Sequence, residues 1–342
     1  MSCVLITGAS GFVGRAVSKS ALSLRMTVRG SHRSLASQSL IPEGVEKIEI
    51  PSIDAHTAWR SALAGVDVIV HLAARAHVIR ETATDPLAAY REVNTKGTER
   101  LAQLAAVAGV KRLVYVSTIG VNGRQTFSEP FTEKDTPAPT EAYAISKWEA
   151  EQALLRVANE TGMEVVILRP PLVYGQGVGA NFLRLLDLVR KQIPLPFASV
   201  RNRRSFIHVK NLADVILACA EHPRAAGQTY LICDNESIST HELIWRIAGL
   251  MGLPDRTFSC PPRLLHLAGR LTGKSAEVNR LLHSLVIDDR KICSEIGWFP
   301  RSTLSQGLKE TVDWYLASDL AARQPANVGE RGFRARTGSV DE

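Results

Sequence analysis

Apolar positions along the chain follow two rhythms. Cys3–Thr7 is a short apolar run that ends at glycines, and 67–72, 112–117 and 164–168 are further runs rich in valine and isoleucine. Residues 45–50 alternate as a strand does. Between these runs, 12–24, 86–108 and 142–161 carry helical spacing, with Gly109 and Gly162 as stops for the last two. Strands this apolar, separated by helices, are buried on both faces. The pattern therefore predicts an α/β fold, a doubly wound parallel sheet covered by helices.

The rhythm changes after Pro170 and Pro171. Residues 175–179 read as a loop, 181–192 as a helix, and 205–209 and 229–233 as two short strands. Beyond Ser239 the chain is mostly helical to about Ser318. We expect residues 1–174 with 203–233 to form the sheet domain. Residues 175–202 with 234–320 would form a smaller, mainly helical domain. Residues 321–342 contain few large apolar side chains and predict a disordered tail.

Composition narrows the class. The chain has 342 residues, 45% hydrophobic and 22% charged, which is globular composition. No apolar run reaches the ~18–20 residues of a membrane span, and none resembles a secretory leader, so a cytoplasmic protein is expected. Lysine and arginine number 41 against 34 acids, a net charge of +7. These charges are dispersed, which argues against nucleic acid and suits phosphorylated small ligands. The cysteines, at 3, 219, 233, 260 and 293, include no C-x-x-C pair, so neither disulfides nor a metal site is expected.

Candidate chemistry begins at the first strand's end. Thr7-Gly8-Ala9-Ser10-Gly11-Phe12-Val13-Gly14 follows the strand and opens a helix. Glycines let backbone amides approach a pyrophosphate, and the helix N-terminus favours its charge, so this loop predicts dinucleotide binding. An acid some 20 residues on would select NAD. The window 27–38 has none and holds Arg29, His32 and Arg33 instead. Cations there suit a 2′-phosphate and favour NADP(H), with NAD as the alternative.

Tyr143 and Lys147 are four residues apart and share one helix face. The strand ending at Ser117-Thr118 lies 25 residues earlier, and functional groups gather at the carboxyl ends of parallel strands.

With these residues in hand, the chain resembles the extended short-chain dehydrogenase/reductases of the epimerase/dehydratase family. The matching pieces are TGASGFVG (7–14), HLAA (71–74), Asn94-x-x-Gly97-Thr98, VYVST (114–118), YAISK (143–147), RPPLVYG (169–175) and RRSFIHVKNLAD (203–214). They run in the family's order across residues 1–320. The resemblance implies a Rossmann domain and assigns roles. Tyr143 would be the general acid/base. Lys147 would hold the nicotinamide ribose and lower the Tyr143 pKa from its usual ~10. Thr118 would hydrogen-bond the reacting oxygen, supported by Ser117. Gly8, Ser10, Gly11, Phe12, Val13, Gly14, Arg33, Asp54, Ala73, Ala74, Asn94 and Pro170 would line the cofactor. Asn122, Asn181 and Arg204 would contact a nucleotide-linked sugar, with Arg203, Arg75, His77 and Arg280 as further cations near it. A helix N-cap is the other reading of Asn181, and Asp288-Asp289 most simply caps a helix.

Two departures stand out. Val121-Asn122-Gly123 replaces a common V-Y-G, and Leu168-Arg169-Pro170-Pro171 replaces an aromatic-asparagine pair. The resemblance implies redox chemistry at C4 of a nucleotide-linked hexose, UDP-N-acetyl or 6-deoxy, in surface-polysaccharide sugar-nucleotide metabolism. The missing acid favours an NADPH-dependent 4-keto reductase. The alternative is a UDP-hexose 4-epimerase with tightly bound NAD, and a distant one is a non-catalytic dinucleotide-binding regulator. A 4,6-dehydratase is disfavoured because Ile119-Gly120 follow Thr118. A homodimer through helices flanking 86–108 and 142–161 is also implied.

Overall fold

The computed structural model describes residues 2–76 and 83–323. Ten strands are present among them: β1 (Cys3–Thr7), β2 (Thr27–His32), β3 (Glu46–Glu49), β4 (Val68–His71), β5 (Arg112–Val116), β6 (Glu164–Arg169), β7 (Leu172–Tyr174), β8 (Arg204–His208), β9 (Thr229–Leu231) and β10 (Ser237–Ile238). Seven form one sheet in the order β3-β2-β1-β4-β5-β6-β9, every pair parallel. The valine- and isoleucine-rich runs are thus covered on both faces. Val4, Ile6, Val70, Val114 and Val166 pack under helices Phe12–Ser23 and Val209–Glu221. Their neighbours Leu5, Ile69, Leu113, Val165 and Ile167 point the other way, against helices Gly97–Val107 and Ala142–Thr161. One-residue alternation on two buried faces is what a doubly wound sheet requires.

From β1 the chain winds outward to β3, then crosses back to β4 on the other side of β1. The reversal leaves a crevice between the carboxyl ends of β1 and β4, the usual ligand position in such sheets.

The stretch expected as one helix over 86–108 is interrupted. Pro86–Arg91 and Gly97–Val107 are α-helical, but Glu92–Lys96 is a π turn. Asp85 caps the start, accepting from the Ala88 N–H at 3.0 Å.

β7, β8 and β10 form a separate three-stranded sheet, β8 antiparallel to β10 and parallel to β7. Its Phe206 and Ile238 share a core with helices Ala180–Arg190, Thr240–Leu250 and Leu304–Arg323. Asp234 fastens this sheet to the larger one. It accepts from the Tyr174 hydroxyl (2.8 Å), the His208 N–H (2.9 Å) and the Asn211 amide (2.8 Å). Burial pushes the Asp234 carboxyl up to about 6.

Two boundary expectations change. The last helix continues to Arg323, so residues 321–323 are not tail, and 324–342 lie outside the described residues. The helix after Asp289 does begin at Arg290, but Asp289 makes no cap bond. Its neighbour Asp288 accepts from the Arg290 N–H at 3.0 Å instead.

Candidate active site

The glycine loop closes on itself. Gly8 has a φ of +69°, which glycine adopts without strain, and its carbonyl accepts from the Gly11 N–H at 2.9 Å. A Cβ built on Gly14 would lie 2.1 Å from the Gly8 oxygen and 2.8 Å from the Ala9 Cα. A Cβ on Gly8 would sit 3.1 Å from the Ala73 backbone. The first helix is therefore drawn against β1, and β1 against the strand-end loop carrying Ala73 and Ala74. Helix Phe12–Ser23 starts at Gly11 with no side-chain cap, so its first amides, at Phe12 and Val13, are not taken by one. Beside the loop, the Gly8 N–H donates to the Ser31 hydroxyl (3.3 Å), while Ser10 gives its carbonyl to Arg15 (2.7 Å).

Beneath the crevice lies a polar relay that the sequence did not announce. Thr7 Oγ1 accepts from the Leu72 and Ala73 N–H groups (3.1 and 3.2 Å) and lies 2.7 Å from His71 Nδ1. Two N–H groups occupy its lone pairs, so its own hydrogen goes to Nδ1. His71 Nε2 then donates to Thr98 Oγ1 at 2.9 Å. Burial, with the Lys147 charge adding to it, pushes the His71 imidazole down to about 3, so the ring is neutral.

Asn94 ties the crevice to the helix of Tyr143. Its Oδ1 accepts from the Arg75 N–H (2.8 Å), and its Nδ2 donates to the Arg75 carbonyl (3.1 Å) and to Ser146 Oγ (3.0 Å). Ser146 Oγ in turn donates to the Tyr143 carbonyl at 2.8 Å. Thr95 adds a bond from its hydroxyl to the Ser146 carbonyl at 2.9 Å. All of this originates in the π turn, a distortion that regular helical spacing does not signal.

Thr118 caps a one-turn helix, Ile119–Val121, accepting from the Gly120 N–H at 3.2 Å. A Cβ at Gly120 would touch Ala144 Cβ at 3.3 Å, so this turn packs directly on the Tyr143 helix. The Ile119 N–H donates to the Pro170 carbonyl at 2.9 Å, which brings Pro170 to the same place. Ser117 is buried, and its hydroxyl has no partner among the described residues.

Tyr143 is half-buried, its ring edge-on to Tyr90 with centroids 6.1 Å apart. Lys147 is fully buried, its ammonium 4.0 Å from the centre of the Tyr115 ring. The expected depression of the phenol is not present in the chain alone. Burial, helped by Tyr90, pushes Tyr143 up to about 12. Burial also pulls Lys147 down to about 7, partly opposed by Glu151. Desolvation disfavours the charged form of each group, phenolate and ammonium alike.

Other expected residues are placed differently. Arg29 does not face the crevice. It pairs with Glu46 at 3.0 Å and donates to the carbonyls of Ala62 and Ala64, both at 2.9 Å. Arg33 is exposed at the end of β2, and His32 is buried. Asp54 folds into its own turn, accepting from the His56 N–H at 2.8 Å, and lies against Gly97. Asn122 is buried, donating to the Thr132 carbonyl and accepting from Arg169, each at 2.9 Å. Asn181 is exposed one residue inside its helix, whose cap position is Gly179. Arg204 donates through Nη1 to the carbonyls of Arg280 (2.5 Å) and His283 (3.1 Å). Burial and the nearby Arg280 pull the Arg204 guanidinium down to about 10. Arg203 bonds Ser237 Oγ at 2.8 Å, and His77 lies outside the described residues.

A cavity of about 390 Å³ opens beside the start of the Tyr143 helix. Asn122, Arg124, Thr140, Asn279, Arg280 and His283 line it. Arg124 and Arg280 both hold Glu141, at 2.8 and 2.7 Å.

Residues 4–233 match the NAD dependent epimerase/dehydratase family. A UDP-glucose 4-epimerase of Vibrio cholerae is 40% identical over 320 residues, covering 92% of this chain and 96% of that protein. Among solved structures, a UDP-glucose 4-epimerase of Thermotoga maritima with UDP-glucose superposes with a TM-score of 0.77 at 22% identity, covering 92% of this chain and 99% of that one. A UDP-glucuronic acid 4-epimerase of Bacillus cereus in complex with NAD gives 0.74 at 20% identity, covering 92% and 99%. The matched span runs through the glycine loop, the β4 crevice and the tyrosine-lysine helix: this chain belongs to the NAD dependent epimerase/dehydratase family and is an enzyme of the extended short-chain dehydrogenase/reductase type.

Proposed function

We propose that the protein interconverts the C4 epimers of a UDP-linked hexose, using NAD that stays bound. The observation that carries this reading is the packing of the turn that Thr118 caps on the helix of Tyr143, Gly120 lying against Ala144. The similarity to the Vibrio cholerae enzyme over nearly its whole length supports the choice of reaction.

The crevice suits a dinucleotide, because Gly14 lets the first helix start directly against the Gly8 and Ala9 backbone and Gly8 lets the loop close on Ala73, which puts the helix N-terminus at the end of β1. Gly8, Ser10, Gly11, Phe12, Val13 and Gly14 would hold the pyrophosphate, with Ala73 and Ala74 alongside. When bound, the nicotinamide supplies hydride exchange with the sugar carbon. Tyr143 takes or returns the proton on O4, and Thr118 donates a hydrogen bond to the same oxygen. Lys147 holds the ribose hydroxyls and adds positive charge near the phenol. Asn94 positions Tyr143 through Ser146. The 390 Å³ cavity would take the UDP moiety, its diphosphate facing Arg124 and Arg280.

A second reading, an NADPH-dependent 4-keto reductase, is favoured by one feature: Arg33 is exposed at the end of a β2 that lacks an acid. Because Arg29 is held by Glu46, Arg33 would face a 2′-phosphate without it. The deciding experiment denatures the purified protein and identifies the released dinucleotide. It then follows UDP-glucose and UDP-galactose with no added cofactor. Released NAD and interconversion of the two sugars support the epimerase. Net NADPH consumption with a UDP-4-keto sugar, and no interconversion, replaces it with the reductase.

A further inference from the structure

The helical hairpin that closes the cavity turns an apolar stripe outward. Helix Pro262–Leu271 exposes Leu264 (54%), Leu267 (52%) and Leu271 (80%). Positions three, four and seven apart share one side of a helix, so these leucines form a continuous strip. Phe258, just before the helix, is 49% exposed. The opposite side is accounted for: a Cβ at Gly269 would meet Val278 Cγ2 at 2.9 Å, so it packs on the neighbouring helix Ser275–Leu282. Among the described residues the strip therefore has no partner.

Cations border it. Arg263 and Arg270, seven residues apart, lie along one flank, and Lys274 follows at the end. All three are exposed, and among the described residues none is ion-paired. Leucines on one side and unpaired cations beside them are the pattern of a helix that lies in a lipid interface.

We propose that this hairpin docks the protein on an anionic phospholipid surface. Leu264, Leu267 and Leu271 enter the acyl boundary, and Arg263, Arg270 and Lys274 meet lipid phosphates. Contact is peripheral, because no helix of the described residues is long and apolar enough to cross a membrane. A second copy of the chain fits this face less well, since pairing two identical strips brings the same cations together. The inference is independent of which reaction the site performs. Its consequence for the site is positional: Arg280 and His283, on the hairpin's second half, line the cavity, so docking would set the cavity mouth near the bilayer.

The test is flotation of the full chain with phosphatidylcholine vesicles, with and without phosphatidylglycerol. Binding is expected only to vesicles with phosphatidylglycerol, and should fall in about 1 M salt, where the Debye length is about 3 Å. Leu267→Glu with Leu271→Glu should reduce partitioning at least ~10-fold, given what burying a leucine contributes. Arg263→Gln and Arg270→Gln should each reduce it roughly 5-fold. All variants should keep wild-type circular dichroism and melting temperature, which separates lost docking from lost folding. No binding at any phosphatidylglycerol content overturns the proposal. So does sedimentation showing that the leucine variant dissociates a dimer while vesicle binding is unchanged.

Discussion

Arg169, at the end of β6, and Glu151, two turns beyond Tyr143 on its helix, form a bidentate ion pair with side chains 5% and 1% exposed. Their bonds measure 3.1 and 2.5 Å, and Arg169 spans onward to Asn122 at 2.9 Å. Removing one partner leaves a buried charge without its counter-ion. Glu151→Gln should therefore destabilise the fold by about 3–5 kcal/mol, and Glu151→Leu with Arg169→Met should recover most of that. Urea midpoints of the single and double variants check it; a Glu151→Gln protein as stable as wild type contradicts it.

Tyr143→Phe keeps the edge-on contact with Tyr90 and removes only the hydroxyl. Turnover should fall about 10²–10⁴-fold while the melting temperature stays close to wild type. Initial rates with UDP-glucose and a thermal melt give both quantities. Retained turnover would remove Tyr143 from the chemistry.

Gly14→Ala should harm the protein even with no cofactor present. The added carbon would meet the Gly8 carbonyl at 2.1 Å, and the atoms it meets are backbone. Overpacking of this kind costs about 1–3 kcal/mol. A lower melting temperature together with weaker dinucleotide binding is expected. An unchanged melting temperature with only binding lost would mean that the first helix can shift away from β1.

Lys147 makes stability pH-dependent. Its folded pKa, about 7, lies below the usual 10.5, so between those values the unfolded chain binds the extra proton. The contribution is present above 10.5 and is lost as pH falls through 7. In the cofactor-free protein, stability relative to Lys147→Met should rise from pH 7 to 10, by no more than about 1.4 kcal/mol per pH unit. Parallel melts of both proteins across that range measure it, and a flat difference would show that the ammonium stays fully charged.

Local signals were the legible ones. The glycine loop and the Tyr143–Lys147 spacing are short and sit at strand ends, where a parallel sheet puts its chemistry. What escaped reading depends on contacts distant in sequence. Arg204 looked like a phosphate ligand, yet its Nη1 holds carbonyls 76 and 79 residues away. Arg29 looked like a cofactor contact, but a strand residue points to one face or the other, and its face leads to Glu46. Arg169 was visible only as a departure, since nothing in Leu168-Arg169-Pro170 names Glu151 as its partner. The π turn was hidden because a single extra residue barely disturbs apolar spacing over two turns. Tyr143's raised pKa follows from burial first and from its neighbour Tyr90 second, and spacing reveals neither.

The π turn at 92–96 also governs how this enzyme can be recombined with its relatives. Deleting one residue there would restore a regular helix and turn everything before it by about 100°. Tyr90 would swing off Tyr143, and Asn94 would lose either Arg75 or Ser146. A chimera that exchanges substrate preference should thus place its crossover points outside 86–107, so that one parent supplies Tyr90, Asn94 and Thr98 as a block.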